Sequence, residues 1–197
     1  MIQFYFHHTP NPMKVALLLE ELGLAYELVA VDTLKGEQHE PAFRKVNPNG
    51  KLPALRDGEA VVFDSTAILL HLAEREDRFL GAPSDRPALL SWLMFVASGL
   101  GPYSGQAVHF TRVHTESAYA TNRYRREAER HYDVLEGRLK ETPFLAGVEY
   151  TIADIGAWGW IDRAAIVHGD PAALARWPAI QAWFHGVEAR PAVARAR

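Results

Sequence analysis

A change of character near Leu80 constrains this chain more than any other feature of its sequence. Before it, strand and helix signals alternate. Beyond it, no convincing strand pattern is found. Ile2 to Phe6 reads as a buried strand, β-branched and aromatic, running into the turn Thr9-Pro10-Asn11-Pro12. There Asn11 can cap a helix and Pro12 can take its first position. Val15, Leu18, Leu19 and Leu22 recur at helical spacing, and Gly23 ends that helix. Tyr26 to Val31 is a second strand, followed by a polar stretch, Lys35 to Glu40, and a short helix around Phe43. Leu52 to Leu55 and Ala60 to Phe63 flank Asp57-Gly58, a hairpin signal. A helix then runs from Ser65, with Ile68, Leu69 and Leu72 on one face.

The order strand, helix, strand, helix, strand, strand, helix predicts a thioredoxin-like α/β domain over residues 1–80. Gly81-Ala82-Pro83-Ser84-Asp85 reads as a linker (81–86). Residues 87–197 predict an all-α domain, with helices at Trp92 to Phe95, Tyr124 to Leu139 and Ile152 to Val167 and a last one starting near Pro178. Thr151-Ile152-Ala153-Asp154 is a capping box before an apolar run, a folding element.

Several chemistries are removed at once. The chain has no cysteine, so no disulfide, thiolate metal site or protein-thiol nucleophile is available. A net charge of -3 is too balanced for a nucleic-acid partner. The N-terminus lacks a signal-peptide pattern and no apolar run reaches membrane-span length, which gives the expectation of a cytoplasmic protein without membrane contact. His7-His8 and His109 with His114 lack the spacing of a metal helix, so no metal is expected. Gly99-Leu100-Gly101 and Gly105 have neither a preceding strand nor a following Lys-Ser/Thr, which argues against a phosphate loop. They read as breaks in a helix at the mouth of an apolar pocket.

Three segments, in this order and spacing, resemble the glutathione S-transferase superfamily: Tyr5-Phe6-His7-His8-Thr9-Pro10-Asn11, Asn47-Pro48-Asn49-Gly50-Lys51-Leu52-Pro53, and Phe63-Asp64-Ser65-Thr66-Ala67-Ile68. The likeness runs over nearly the whole chain. The Thr-Pro-Asn turn, with Gly101-Pro102 and Gly105-Gln106, is most similar to the nu-class bacterial members, related to the yeast nitrogen-regulator prion protein. Pro12 stands where those members usually have Gly, and Asp64 where Glu is common. The resemblance implies a site for glutathione, and through the nu-class likeness a glutathione-dependent disulfide reductase.

Glutathione needs anion donors at one end and thiolate stabilisers at the other. At the start of a helix, Ser65 offers a hydroxyl and a main-chain N–H to an anion, where the helix dipole helps; equally it can be an ordinary cap. The resemblance makes Asp64 the acceptor for the ligand's α-ammonium, against a plain carboxylate near a helix start. It implies a cis Leu52-Pro53 bond that turns the Leu52 backbone toward the ligand, against an ordinary trans proline. Gln38 would contact the glycyl end, or be a solvated loop residue. Thr9 and Asn11 are the candidate catalytic pair, a hydroxyl and an amide N–H that favour the ionised sulfur, though both also suit helix capping. Tyr5, inside the strand, ranks below Thr9 as the donor. Arg123 either stands in a salt-bridged face with Glu127 at i,i+4 or, as in nu-class dimers, reaches glutathione across a homodimer interface. The second substrate is a small electrophile or a disulfide, in a pocket around Tyr103, His109 and Phe110. The alternatives are a non-catalytic glutathione-binding or regulatory protein on the same fold, and a specialised lyase.

Overall fold

The computed structural model describes residues 1–197 and divides them into two compact units, Met1–Arg78 with Pro191–Arg197, and Phe79–Arg190. The first unit is built on a four-stranded sheet of order β2-β1-β3-β4: β1 (Ile2–Phe6), β2 (Tyr26–Ala30), β3 (Ala54–Asp57) and β4 (Ala60–Phe63). β1 pairs in parallel with β2 and antiparallel with β3, and β3 and β4 form the hairpin. The parallel pair forces a crossover through α1 (Pro10–Leu22), and the hairpin turns through Gly58-Glu59, one residue beyond the Asp57-Gly58 signal, with Asp57 paired to Ala60 and Gly58 at φ 60°. α2 (Pro41–Arg44) and α3 (Ser65–Glu76) complete the thioredoxin-like plan. Phe4, Leu17, Leu18, Leu55, Ile68, Leu69 and Leu72 are fully buried and form the core between sheet and helices.

Two further details of this unit differ from the sequence reading. α1 begins at Pro10, with Thr9 at the cap, and not at Pro12 after an Asn11 cap. Both prolines fit because no N–H in the first turn has an intrahelical acceptor to lose. The chain also ends in a helix the pattern did not reveal, α10 (Pro191–Ala196), which packs on α1 within this unit although the sequence placed it in 87–197. Arg195 fixes it, donating to the Glu20 carboxylate and carbonyl at 2.9 Å each.

The second unit is all helical: α4 (Arg86–Phe95), α5 (Gly101–Arg112), α6 (Ala118–Glu141), α7 (Ile152–Ile161), α8 (Ala164–His168) and α9 (Pro178–Glu188). Every residue of α7 is buried. Its cap is the expected box: Asp154 takes Thr151 N–H and hydroxyl on Oδ2 and Leu145 N–H and Trp183 Nε1–H on Oδ1, all at 3.0 Å. The run from Ile152 to Val167 is two helices, because Arg163 leaves helical conformation (φ -102°, ψ 12°). The glycines at 99, 101 and 105 do not break the chain's path. A turn of π-helix, Val96–Leu100, carries α4 into α5. Those glycines are there for close packing: a Cβ on Gly99 would lie 2.3 Å from His131 Nε2, and one on Gly101 2.9 Å from Trp160 Nε1. No helix is long and apolar enough to cross a membrane.

Candidate functional site

The first unit carries a cleft of about 240 Å³. Five of the residues singled out from sequence line it together: Asn11 from the first turn of α1, Leu52 and Pro53 from the segment before β3, and Asp64 and Ser65 from the start of α3. They come from three places in the chain, and the fold explains the meeting. β1 and β3 are neighbours, so the approach to β3 passes the N-terminus of the helix that follows β1.

The wall at 47–53 is knit by one buried side chain. Asn47 accepts the Asn49 N–H at 2.9 Å and donates to the Lys51 carbonyl at 2.6 Å, which closes the loop on itself. Gly50 lies in the left-handed region (φ 64°) with the Gln38 carbonyl and the Arg44 guanidinium 3.1 Å from where a Cβ would stand. Arg44 in turn donates to the Pro48 carbonyl. The Leu52-Pro53 bond is cis. No backbone hydrogen bond within the unit engages Leu52, so its N–H and C=O remain for a ligand with an extended backbone.

Asp64, not Ser65, is the cap of α3. Its Oδ1 accepts the Thr66 N–H at 2.8 Å and the Ala67 N–H at 3.2 Å, from a backbone held at φ 75°. Ser65 is the first helical residue and is buried. A carboxylate and a helix N-terminus thus sit side by side, one suited to a cation and the other to an anion. Behind them lies Lys14, fully buried in α1; burial lowers its pKa to about 8 against the raising influence of Asp64.

The remaining candidates fall outside the lining. Thr9 is at the cap of α1 without making a side-chain cap bond, its hydroxyl 3.5 Å from the His7 carbonyl. Tyr5 packs with Leu52 against Val31, Phe43, Val46 and Ala54, its ring 5.7 Å from that of Phe43. Gln38 lies in a short 3-10 turn with its Oε1 buried and without a hydrogen-bond partner. Arg123 belongs to the other unit, on α6, in a cavity with Tyr119, Asn122, Arg126 and Glu127. Its expected i,i+4 partner Glu127 pairs instead with Arg130, three residues on, at 3.1 Å, and Glu129 pairs with Arg176 at 3.0 Å. The sequence reading missed Asn47, Asn49, Lys51 and Phe63 as lining residues. Their signal was present: all four lie inside the segments that carry the resemblance.

A four-stranded thioredoxin-like unit with a cis-proline wall, a capping acid and a buried serine, continued in the same chain by an all-helical unit, defines the glutathione-transferase class. Residues 2–74 match the sequence model of the Glutathione S-transferase N-terminal domain, and residues 92–191 that of its C-terminal domain. The chain belongs to the glutathione S-transferase family. It is 42% identical to the disulfide-bond oxidoreductase YfcG of Escherichia coli (strain K12), over all of this chain and 94% of that protein. Among solved structures it is similar to the glutathione transferase URE2P6 of Phanerochaete chrysosporium in complex with oxidized glutathione, with a TM-score of 0.93 and 38% identity over 99% of this chain and 94% of the other. It is also similar to a glutathione transferase family member from Pseudomonas fluorescens pf-5 with two glutathione bound (TM-score 0.91, 34% identity, 99% and 91% covered).

Proposed function

We propose that this protein is an enzyme that holds glutathione as its thiolate and uses it chiefly to reduce disulfides. The observation that carries the reading is the convergence of Asn11, Leu52, Pro53, Asp64 and Ser65 on one cleft in a chain without cysteine. Asp64 receives the α-ammonium of the γ-glutamyl end, while Ser65 and the N-terminus of α3 receive its carboxylate. The free main-chain groups of Leu52 pair with the cysteinyl residue. Lys51 is placed to meet the glycyl carboxylate, with Gln38 beside the same loop. The sulfur then comes to the N-terminus of α1, where Thr9 and Asn11 donate to the thiolate. Lowering a thiol pKa by about two units requires roughly 2.7 kcal/mol of preference for the anion, within reach of a hydroxyl, an amide and a helix terminus.

The missing protein thiol sets the form of the cycle. One glutathione thiolate attacks the substrate disulfide, forming a mixed disulfide and releasing one substrate thiolate, which takes up a proton. A second glutathione thiolate attacks the glutathione sulfur of that mixed disulfide, giving oxidised glutathione and the second substrate thiol. The enzyme contributes ionisation and proximity only. A relative named as a disulfide-bond oxidoreductase, and similar structures holding oxidised glutathione or two glutathiones, support this reading. Within it the protein is a cytoplasmic homodimer in which Arg123 of one subunit completes the site of the other. The test compares, at saturating glutathione, reduction of a small disulfide with conjugation of an aryl halide. Disulfide reduction is expected to be the faster; a conjugation rate well above it overturns the reductase reading.

A further inference from the structure

α1 is buried at every residue from Pro12 to Leu19, and one of these is a lysine. Lys14 is 2% exposed and lies one helical turn beyond Asn11, which lines the same cleft as Asp64. The one charge that acts on it is Asp64, at the cap of the helix packed against α1. Other charged groups on the elements around α1 are engaged elsewhere: His71 and Arg75 of α3 on Asp57, and Arg195 of α10 on Glu20. Asp64 has one oxygen committed to the amides of Thr66 and Ala67, and it also lines the cleft. A single carboxylate therefore stands between a buried cation on one side and the ligand space on the other.

We propose that Lys14 competes with the α-ammonium of the γ-glutamyl end for Asp64, so that glutathione binding expels a proton from Lys14. The proposal rests on the glutathione reading above. Bringing a second positive charge to Asp64 uses the field that held the first, and the two cations repel through a wall of low polarity. The neutral amine escapes both penalties. Burial has already brought Lys14 to about 8, so its proton is lost without great cost near neutral pH. Lys14 touches neither the ligand sulfur nor the second substrate in this account. It acts through Asp64, as a positioning residue that makes affinity for the γ-glutamyl end rise with pH.

The test is calorimetric titration of the full-length protein with S-methylglutathione at about pH 7.5, in two buffers of different ionisation heat, which counts protons released on binding. Methylation removes the thiol proton from the count. The ligand's own ammonium, strengthened as an acid–base pair by Asp64, would take up protons and not release them. With a pKa of about 8, Lys14 carries about three quarters of a proton at that pH. Wild-type protein is therefore expected to release roughly half a proton or more per site. Lys14→Arg keeps the charge but does not titrate there, and Lys14→Met removes it. Both are expected to bind with no release, and Lys14→Met more tightly than Lys14→Arg. Wild-type binding without proton release overturns the proposal whatever the variants do, as does equal release from Lys14→Met; either leaves the glutathione reading intact. Failure of the wild type to bind at all overturns both.

Discussion

Replacing Asp64 separates two tasks that one carboxylate performs. Its Oδ1 caps α3 through the Thr66 and Ala67 amides, and in the proposed function its charge receives the ligand ammonium. Asp64→Ala loses both. The two amides lose their acceptor, which costs about 1 kcal/mol of stability, while the backbone strain at φ 75°, ψ 130° is carried by aspartate and alanine alike. Asp64→Asn is the informative variant. It keeps an oxygen for the amides and leaves the backbone strain unchanged, so stability should change by less than about 0.5 kcal/mol. It removes the charge, however, and a hydrogen bond to a charged group contributes about 1.5–3 kcal/mol. Glutathione affinity should therefore fall about 10- to 150-fold in Asp64→Asn while the denaturation midpoint barely moves. Calorimetry on a folded Asp64→Asn protein that finds wild-type affinity would refute the role given to this carboxylate.

Other expectations concern the sulfur, the fold and the assembly. Thr9→Ala should lower turnover more than glutathione affinity and raise the apparent thiol pKa in a pH–rate profile. If Tyr5→Phe does this and Thr9→Ala does not, the donor is Tyr5. Asp154→Ala strands the Leu145 and Thr151 amides, the Thr151 hydroxyl and the Trp183 indole N–H in a buried site, and should cost about 3–5 kcal/mol in chemical denaturation; a loss below about 1 kcal/mol would mean the box is dispensable. Light scattering should find a dimer at assay concentrations, and Arg123→Ala should weaken glutathione binding without dissociating it. A monomer of full activity would exclude the cross-subunit role.

The α/β half was legible because its signals are short-range. The β-branched and aromatic run of β1, the Asp57-Gly58 signal at the hairpin and the spacing of Ile68, Leu69 and Leu72 each declare one element by themselves. The helical half was harder. Gly101, Pro102 and Gly105 look like breakers in a string of letters, yet Pro102 lies in the first turn of α5 and both glycines admit Trp160. Such packing is a property of two helices and cannot be read from one. The same reason hid Lys14, since a lysine in an amphipathic helix is normally assigned to solvent and only the burial of α1 on all sides reveals otherwise. At the site, Asp64, Ser65, Leu52-Pro53 and Asn11 were found because their roles are tied to motif positions. Asp64 as the cap was not, because Asp and Ser are both good caps and the choice between them is made by the backbone.

The central claim is that the protein ionises glutathione without a thiol of its own. The most direct measurement follows the ultraviolet absorbance of the thiolate against pH, with glutathione bound to the wild-type enzyme and free in the same buffer. The expected result is an ionisation midpoint about two units lower for the bound ligand. A bound midpoint equal to that of free glutathione would contradict the account.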